Sequence, residues 1–206
     1  EEAPKPPSTT SVWAEIGEGL QVLKQVPSVR GAMLHLVLLY SLLAALYVLA
    51  LQLAALIESL GPSGFGALLA MSGVGMAIGA VVIAQAGHRF SRRRLSATGL
   101  GTITWTLVLL SQLRGSLVFT LSLCGILGVG AALVAIPAQT TIQEETPESE
   151  RGRVFGLQNN LINIALSLPL VLAGTLVSSI GLQPVLLLLA GLALTAALIE
   201  RPWQRC

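Results

Sequence analysis

Charge is what this chain has least of. Asp, Glu, Lys and Arg make up 11% of its 206 residues, against about 25% in average globular domains. That scarcity excludes an ordinary solvated surface. Aromatic residues are also few, at 4%. The two cysteines are Cys124, inside an apolar run, and Cys206, at the last position. They give neither a disulfide framework nor a metal site. His35 and His88 lie far apart, and neither has a His or Cys neighbour. No Asp, Glu, Lys or Arg stands near the middle of an apolar run, so no intramembrane proton relay is visible. With no GxSxG sequence and no membrane aspartate pair, most enzyme readings fall away. No catalytic residue, cofactor, metal or nucleic-acid partner is expected. There is no initial methionine or signal-peptide pattern before Glu1, which suggests a piece of a longer polypeptide.

What is abundant is aliphatic. Hydrophobic residues reach 53% and the mean hydropathy is +0.78. Apolar runs of about 20 residues recur, each long enough to cross a hydrocarbon core of roughly 30 Å as a helix. The runs are continuous rather than alternating, so they read as helices and not as strands of a barrel. An all-α membrane protein with six transmembrane helices follows. The spans are expected at 32–57, 66–86, 95–113, 116–139, 154–180 and 183–200, within one bundle over 31–206. Before it, residues 1–10 read as a Pro-rich linker. Residues 11–30 read as an amphipathic helix, with Trp13, Ile16, Leu20 and Leu23 at helical spacing. It either lies in the membrane interface or packs within a cytoplasmic loop.

The few charges are sorted by side. An even number of spans puts both termini on one side, together with the turn "AGHRFSRRRLS" at 86–96. Lys5, Lys24, Arg30, Arg89, Arg92, Arg93, Arg94, Arg151, Arg153, Arg201 and Arg205 fall there, and Arg114 alone falls opposite. Positive residues gather on the cytoplasmic side of membrane proteins. Both termini and the arginine turn are therefore expected to be cytoplasmic, in a multi-pass protein of the plasma membrane (the bacterial inner membrane). Glu144, Glu145, Glu148 and Glu150 lie in the other large loop of that side. Arg89, Arg92, Arg93, Glu144, Glu145, Arg151 and Arg153 are thus candidates for a conformational latch, the plain alternative being a topological anchor.

Inside the spans two weaker signals remain. Gly75 and Gly79, and the cluster Gly125, Gly128 and Gly130, would let helix backbones approach closely. Tyr40 and Tyr47 are seven apart on one face of the first span. Asn159, Asn160, Asn163 and Ser167 form a polar stripe on the fifth. Side-chain amides in lipid need partners, either another helix or water. The stripe is then interhelical glue or the wall of a cavity. Tyr40, Tyr47, Asn160, Asn163 and Ser167 are the substrate-pathway candidates.

The arginine turn resembles the loop motif of the major facilitator superfamily, broadly G-x-x-x-D-R-x-G-R-R/K. Arg89, Arg92 and Arg93 match; Ala84, His88 and Ser91 stand at the Gly, Asp and second Gly positions. Such degeneration resembles the motif's second copy, in the C-terminal half of these transporters. The loop "QEETPESERGRVFG" is similar to the one before their eleventh helix. The stretch "EGLQVLKQVPSVR" resembles the lead-in to the seventh helix in the exporter branch. The resemblance covers nearly the whole chain, as helices seven to twelve. It implies one half-bundle of a major-facilitator-type fold, whose partner is an N-terminal six-helix half absent from this sequence. It implies that the first, second, fourth and fifth spans face a cavity or the other half, and that the third and sixth face lipid.

The expected function is secondary active transport, with export of a small organic solute by alternating access. The alternative is a six-span membrane module or partner subunit that does not itself transport.

Overall fold

The computed structural model describes residues 23, 25–57, 61, 64–112 and 116–199. The proposed linker and most of the amphipathic stretch lie outside these, as do Lys5, Lys24, Arg114, Arg201 and Arg205. Among the described residues the fold has six long helices: α1 (Pro27–Ala55), α2 (Phe65–Ala86), α3 (Arg92–Gln112), α4 (Leu117–Glu145), α5 (Arg151–Ile180) and α6 (Leu182–Ile199). Short 3₁₀ turns, Gly87–Arg89 and Glu148–Glu150, precede α3 and α5. No strand occurs among the described residues. The chain is an all-α membrane half-bundle, as its composition predicts.

The helix ends differ from expectation in three places. α1 begins at Pro27 rather than at residue 32. Proline suits a first helical position, since its missing N–H would lack an intrahelical partner there anyway. Residues 27–30 therefore belong to the bundle, and His35 stands about 12 Å along α1 instead of in its first turn. α4 continues six residues beyond 139, straight through Pro137, to Glu145. α5 starts at Arg151, ahead of the apolar run. At the opposite end, α5 and α6 are joined by Gly181 alone, at φ 85° and ψ 170°. That region of backbone space is essentially closed to residues with a Cβ. Pro184 sits in the first turn of α6, where proline is tolerated.

α4 is the central helix. It packs most extensively on α2 and α3, and also on α1; α5 rests mainly on α1, and α6 on α3. Its contacts with α2 depend on glycine. A methyl group at Gly75 would overlap the carbonyl oxygen of Gly125, and one at Gly128 would overlap that of Ser72. Glycine at these positions brings the two backbones together.

Three apolar clusters fill the bundle. The largest joins α1, α3, α4, α5 and α6 around Leu42, Leu49, Leu100, Ile103, Leu107, Ala131 and Leu186. A second lies at the arginine-rich end, where Leu23, Met33 and Leu36 meet Ile142, Val154 and Leu157. A third, at the opposite end, holds Leu53, Leu68 and Cys124.

Four helices are long and apolar enough to cross a membrane on those grounds alone: α1, α2, α4 and α5, the last with its preceding turn; α6 is a shorter apolar helix. α3 is more polar, with three arginines at its start and Thr98, Thr102, Thr104 and Thr106 in its body. Each of these hydroxyls donates to a carbonyl of its own helix, at 2.7–2.9 Å. With the threonine donors satisfied internally, α3 does not need water along its length.

Candidate functional site

All described cations lie at one end of the bundle: Arg30, Arg89, Arg92, Arg93, Arg94, Arg151 and Arg153. Arg92 opens α3, and its guanidinium forms an ion pair with Glu144 at the end of α4; its Nη1 also stands 3.7 Å from Glu145 Oε1. Each of these charges is misplaced on its own helix. Cations at a helix N-terminus and carboxylates at a C-terminus oppose the macrodipole. α3 has no acidic residue in its first turn and α4 no basic one in its last. The cross-helix pair supplies each terminus with the missing sign. Arg151 pairs with Glu148 at 3.4 Å and Arg153 with Glu150 at 2.9 Å, both within the turn that opens α5. Of the latch candidates, then, Arg92, Glu144 and Glu145 are brought together between two helices, Arg151 and Arg153 pair locally, Arg93 is exposed beside Arg92 and also engaged, and Arg89 stands exposed.

The polar stripe on α5 has a definite direction. Val154, Leu157, Gln158, Ala165 and Ala173 are its buried positions. At 100° per residue, Asn159, Asn160, Asn163 and Ser167 fall on the side turned away from them. Asn159, Asn163 and Ser167 are exposed and Asn160 is half-buried. Ser167 donates to the carbonyl of Asn163 at 2.8 Å, on its own helix. No asparagine side chain of the stripe hydrogen-bonds to another helix among the described residues. The stripe therefore does not act as glue within these six helices.

The two tyrosines part company. Tyr40 packs with Leu161 against the cluster at the arginine-rich end. Tyr47 is 50% exposed, and its ring meets that of Phe65 on α2 edge to face, with centroids 6.0 Å apart.

One polar contact has no counterpart in the sequence reading. Gln158 Nε2 donates to Gln139 Oε1 at 2.7 Å, bridging α5 and α4. Gln158 is only 8% exposed. The signal available was weak: a single amide two residues after Pro137, and another on the otherwise apolar side of α5.

An all-helical bundle with apolar spans, its described cations at one end and an unpartnered polar face belongs to the multi-pass membrane proteins. The family model of the Major Facilitator Superfamily matches residues 33–202. The chain belongs to that superfamily, whose members are transporters. No curated protein matches it, so the assignment rests on the family model and on the motif residues above.

Proposed function

We propose that this chain is the C-terminal half, helices seven to twelve, of an exporter-like member of the superfamily. It would move a small organic solute out of the cell by alternating access, together with an N-terminal six-helix half. In this reading Tyr40, Tyr47, Asn160, Asn163 and Ser167 line the pathway, and Arg92 with Glu144 and Glu145 forms the core of a latch. Both termini are on the cytoplasmic side of the plasma membrane.

The observation that carries the reading is the direction of the α5 stripe. Amides left unpaired in hydrocarbon cost several kcal/mol each. A face with three of them, turned away from every helix of this half, calls for water, a solute or polar groups of another domain. A transport pathway between two halves supplies all three.

The test is transport by the full-length protein reconstituted in vesicles loaded with a panel of small organic solutes. The reading expects at least one solute to leave faster than from empty-bilayer controls. It also expects Asn163→Ala to weaken apparent affinity for that solute. No facilitated efflux across the panel, from protein shown to be folded, counts against it.

A further inference from the structure

The exposed face of α3 differs from that of α5. Arg94, Thr98, Gly101 and Trp105 follow at four, three and four residues, and all are exposed. The buried residues of α3, among them Gly99, Leu100, Ile103, Thr106 and Leu107, lie on its other side, where α4 and α6 pack. The outward face has no hydroxyl in want of a partner, since Thr98 donates to Leu95 and Thr102 to Thr98. Its middle carries no side chain, at Gly101. Gly101 has open space where a Cβ would point, and Trp105, 66% exposed, stands one turn beyond it.

At the head of this face part of the charge is uncompensated. Arg92 is paired with Glu144, but Arg89 and Arg94 have no carboxylate partner among the described residues. Between them Phe90 is 53% exposed. A cation-rich turn with an exposed aromatic ring, at the arginine-rich end of an outward helix face, matches an anionic headgroup held at the interface. Eleven residues of helix separate Arg94 from Trp105, a rise of about 16 Å. That is the reach of an acyl chain descending from a headgroup towards the bilayer centre.

We propose that the outer face of α3 is a binding site for an anionic phospholipid. Arg89 and Arg94 hold its phosphate, and its acyl chain lies over Thr98, Gly101 and Trp105. The charge complementarity selects the occupant: a zwitterionic lipid offers the same phosphate but sets its own cationic group against the two guanidiniums, whereas a lipid of net negative charge does not, and a second copy of this face would bring like charges together. The site is independent of the transport pathway on α5, so it stands or falls separately from the proposed function.

Tryptophan quenching tests it. The full-length protein, with Trp105 as its only tryptophan, is reconstituted in phosphatidylcholine containing a small fraction of brominated phosphatidylglycerol or, separately, brominated phosphatidylcholine. The expected result is at least twofold stronger quenching by the anionic lipid at equal mole fraction. The excess should disappear in Arg89→Gln/Arg94→Gln and persist in Arg89→Lys/Arg94→Lys, which keeps the charge and controls for folding. Equal quenching by both lipids overturns the site. So does an excess that survives the double Gln substitution, or a Trp105 shielded from both lipids by a second protein copy.

Discussion

Gln158 Nε2 donates to Gln139 Oε1 at 2.7 Å, across the contact between α5 and α4. Both side chains are neutral amides, and the bond offsets part of the desolvation that burying them costs. Truncating one partner strands the other in a buried place, whereas replacing both by apolar groups of similar shape can be nearly neutral. Interhelical hydrogen bonds in membranes average about 0.6 kcal/mol and reach about 1.7. Gln139→Leu and Gln158→Leu should each lower the melting temperature of the purified protein. The double substitution should lose less than the sum of the two. Additive losses in this cycle would mean that the two amides do not interact.

The glycines at the α2–α4 contact should be far less forgiving than those on open faces. A Cβ at Gly75 meets the Gly125 carbonyl, which is backbone and has no rotamer to change. Gly75→Ala should therefore cost about 1–3 kcal/mol, the usual range for overpacking. Gly191 on α6 has open space around it, and Gly191→Ala should gain up to about 1 kcal/mol from helix propensity. Melting curves of the two variants side by side decide the matter; equal shifts would deny the close approach.

Arg92 and Glu144 make a prediction about direction rather than size. The pair is exposed, so either neutralising change, Arg92→Gln or Glu144→Gln, should alter stability by only about 0–1 kcal/mol. The exchange Arg92→Glu/Glu144→Arg keeps the pair and the local net charge. It also places an acid at the start of α3 and a base at the end of α4, where each suits the macrodipole. The swapped protein should melt at or above the parent at low salt, and the advantage should shrink as salt screens it. If the latch acts in transport, both neutral variants should change the transport rate while inserting normally. Unchanged kinetics would leave the turn as an anchor.

Orientation is testable at two serines. Ser91 lies between α2 and α3 at the arginine-rich end, and Ser116 lies just before α4 at the other. In a background without the native cysteines, Ser91→Cys should react with an impermeant thiol reagent only after the membrane is opened. Ser116→Cys should react from outside. The reverse pattern would invert the topology.

The helices were legible in the sequence because membrane spans announce themselves as continuous apolar runs. Their ends were not. The apolar run of α4 gives out near Gln139, but its backbone continues to Glu145, since Gln, Thr and Glu sustain a helix without apolar character. Pro137 did not stop it either: the proline removes one N–H, the donor to the carbonyl of Leu133 four residues back, and the helix continues through it to Glu145. The glycine clusters were legible because small residues in a span have few other uses. The Gln139–Gln158 bond was not, because two amides nineteen residues apart carry no periodicity. The direction of the α5 stripe is intermediate. Helical spacing puts the asparagines on one face, but only the packing of Val154, Leu157 and Ala165 shows that this face points away from the half-bundle.

Asn163 is where glue and pathway part. It is exposed on α5, with its backbone carbonyl accepting from Ser167 and its amide turned from the other five helices. If a helix of another domain covered it permanently, Asn163→Ala would remove an interhelical bond worth about 0.6 kcal/mol and lower the melting temperature. If it faces a water-filled pathway, the amide is hydrated whenever solute is absent, and its removal leaves stability almost unchanged. The loss then falls on the solute: one neutral hydrogen bond is worth about 0.5–1.5 kcal/mol, a two- to twelvefold weaker apparent affinity at about 1.4 kcal/mol per factor of ten. Ser167→Ala should do less, because its hydroxyl is already engaged with Asn163's carbonyl. Apparent affinity and melting temperature measured together on the full-length transporter separate the two outcomes. A lowered melting temperature with unchanged affinity would remove Asn163 from the pathway.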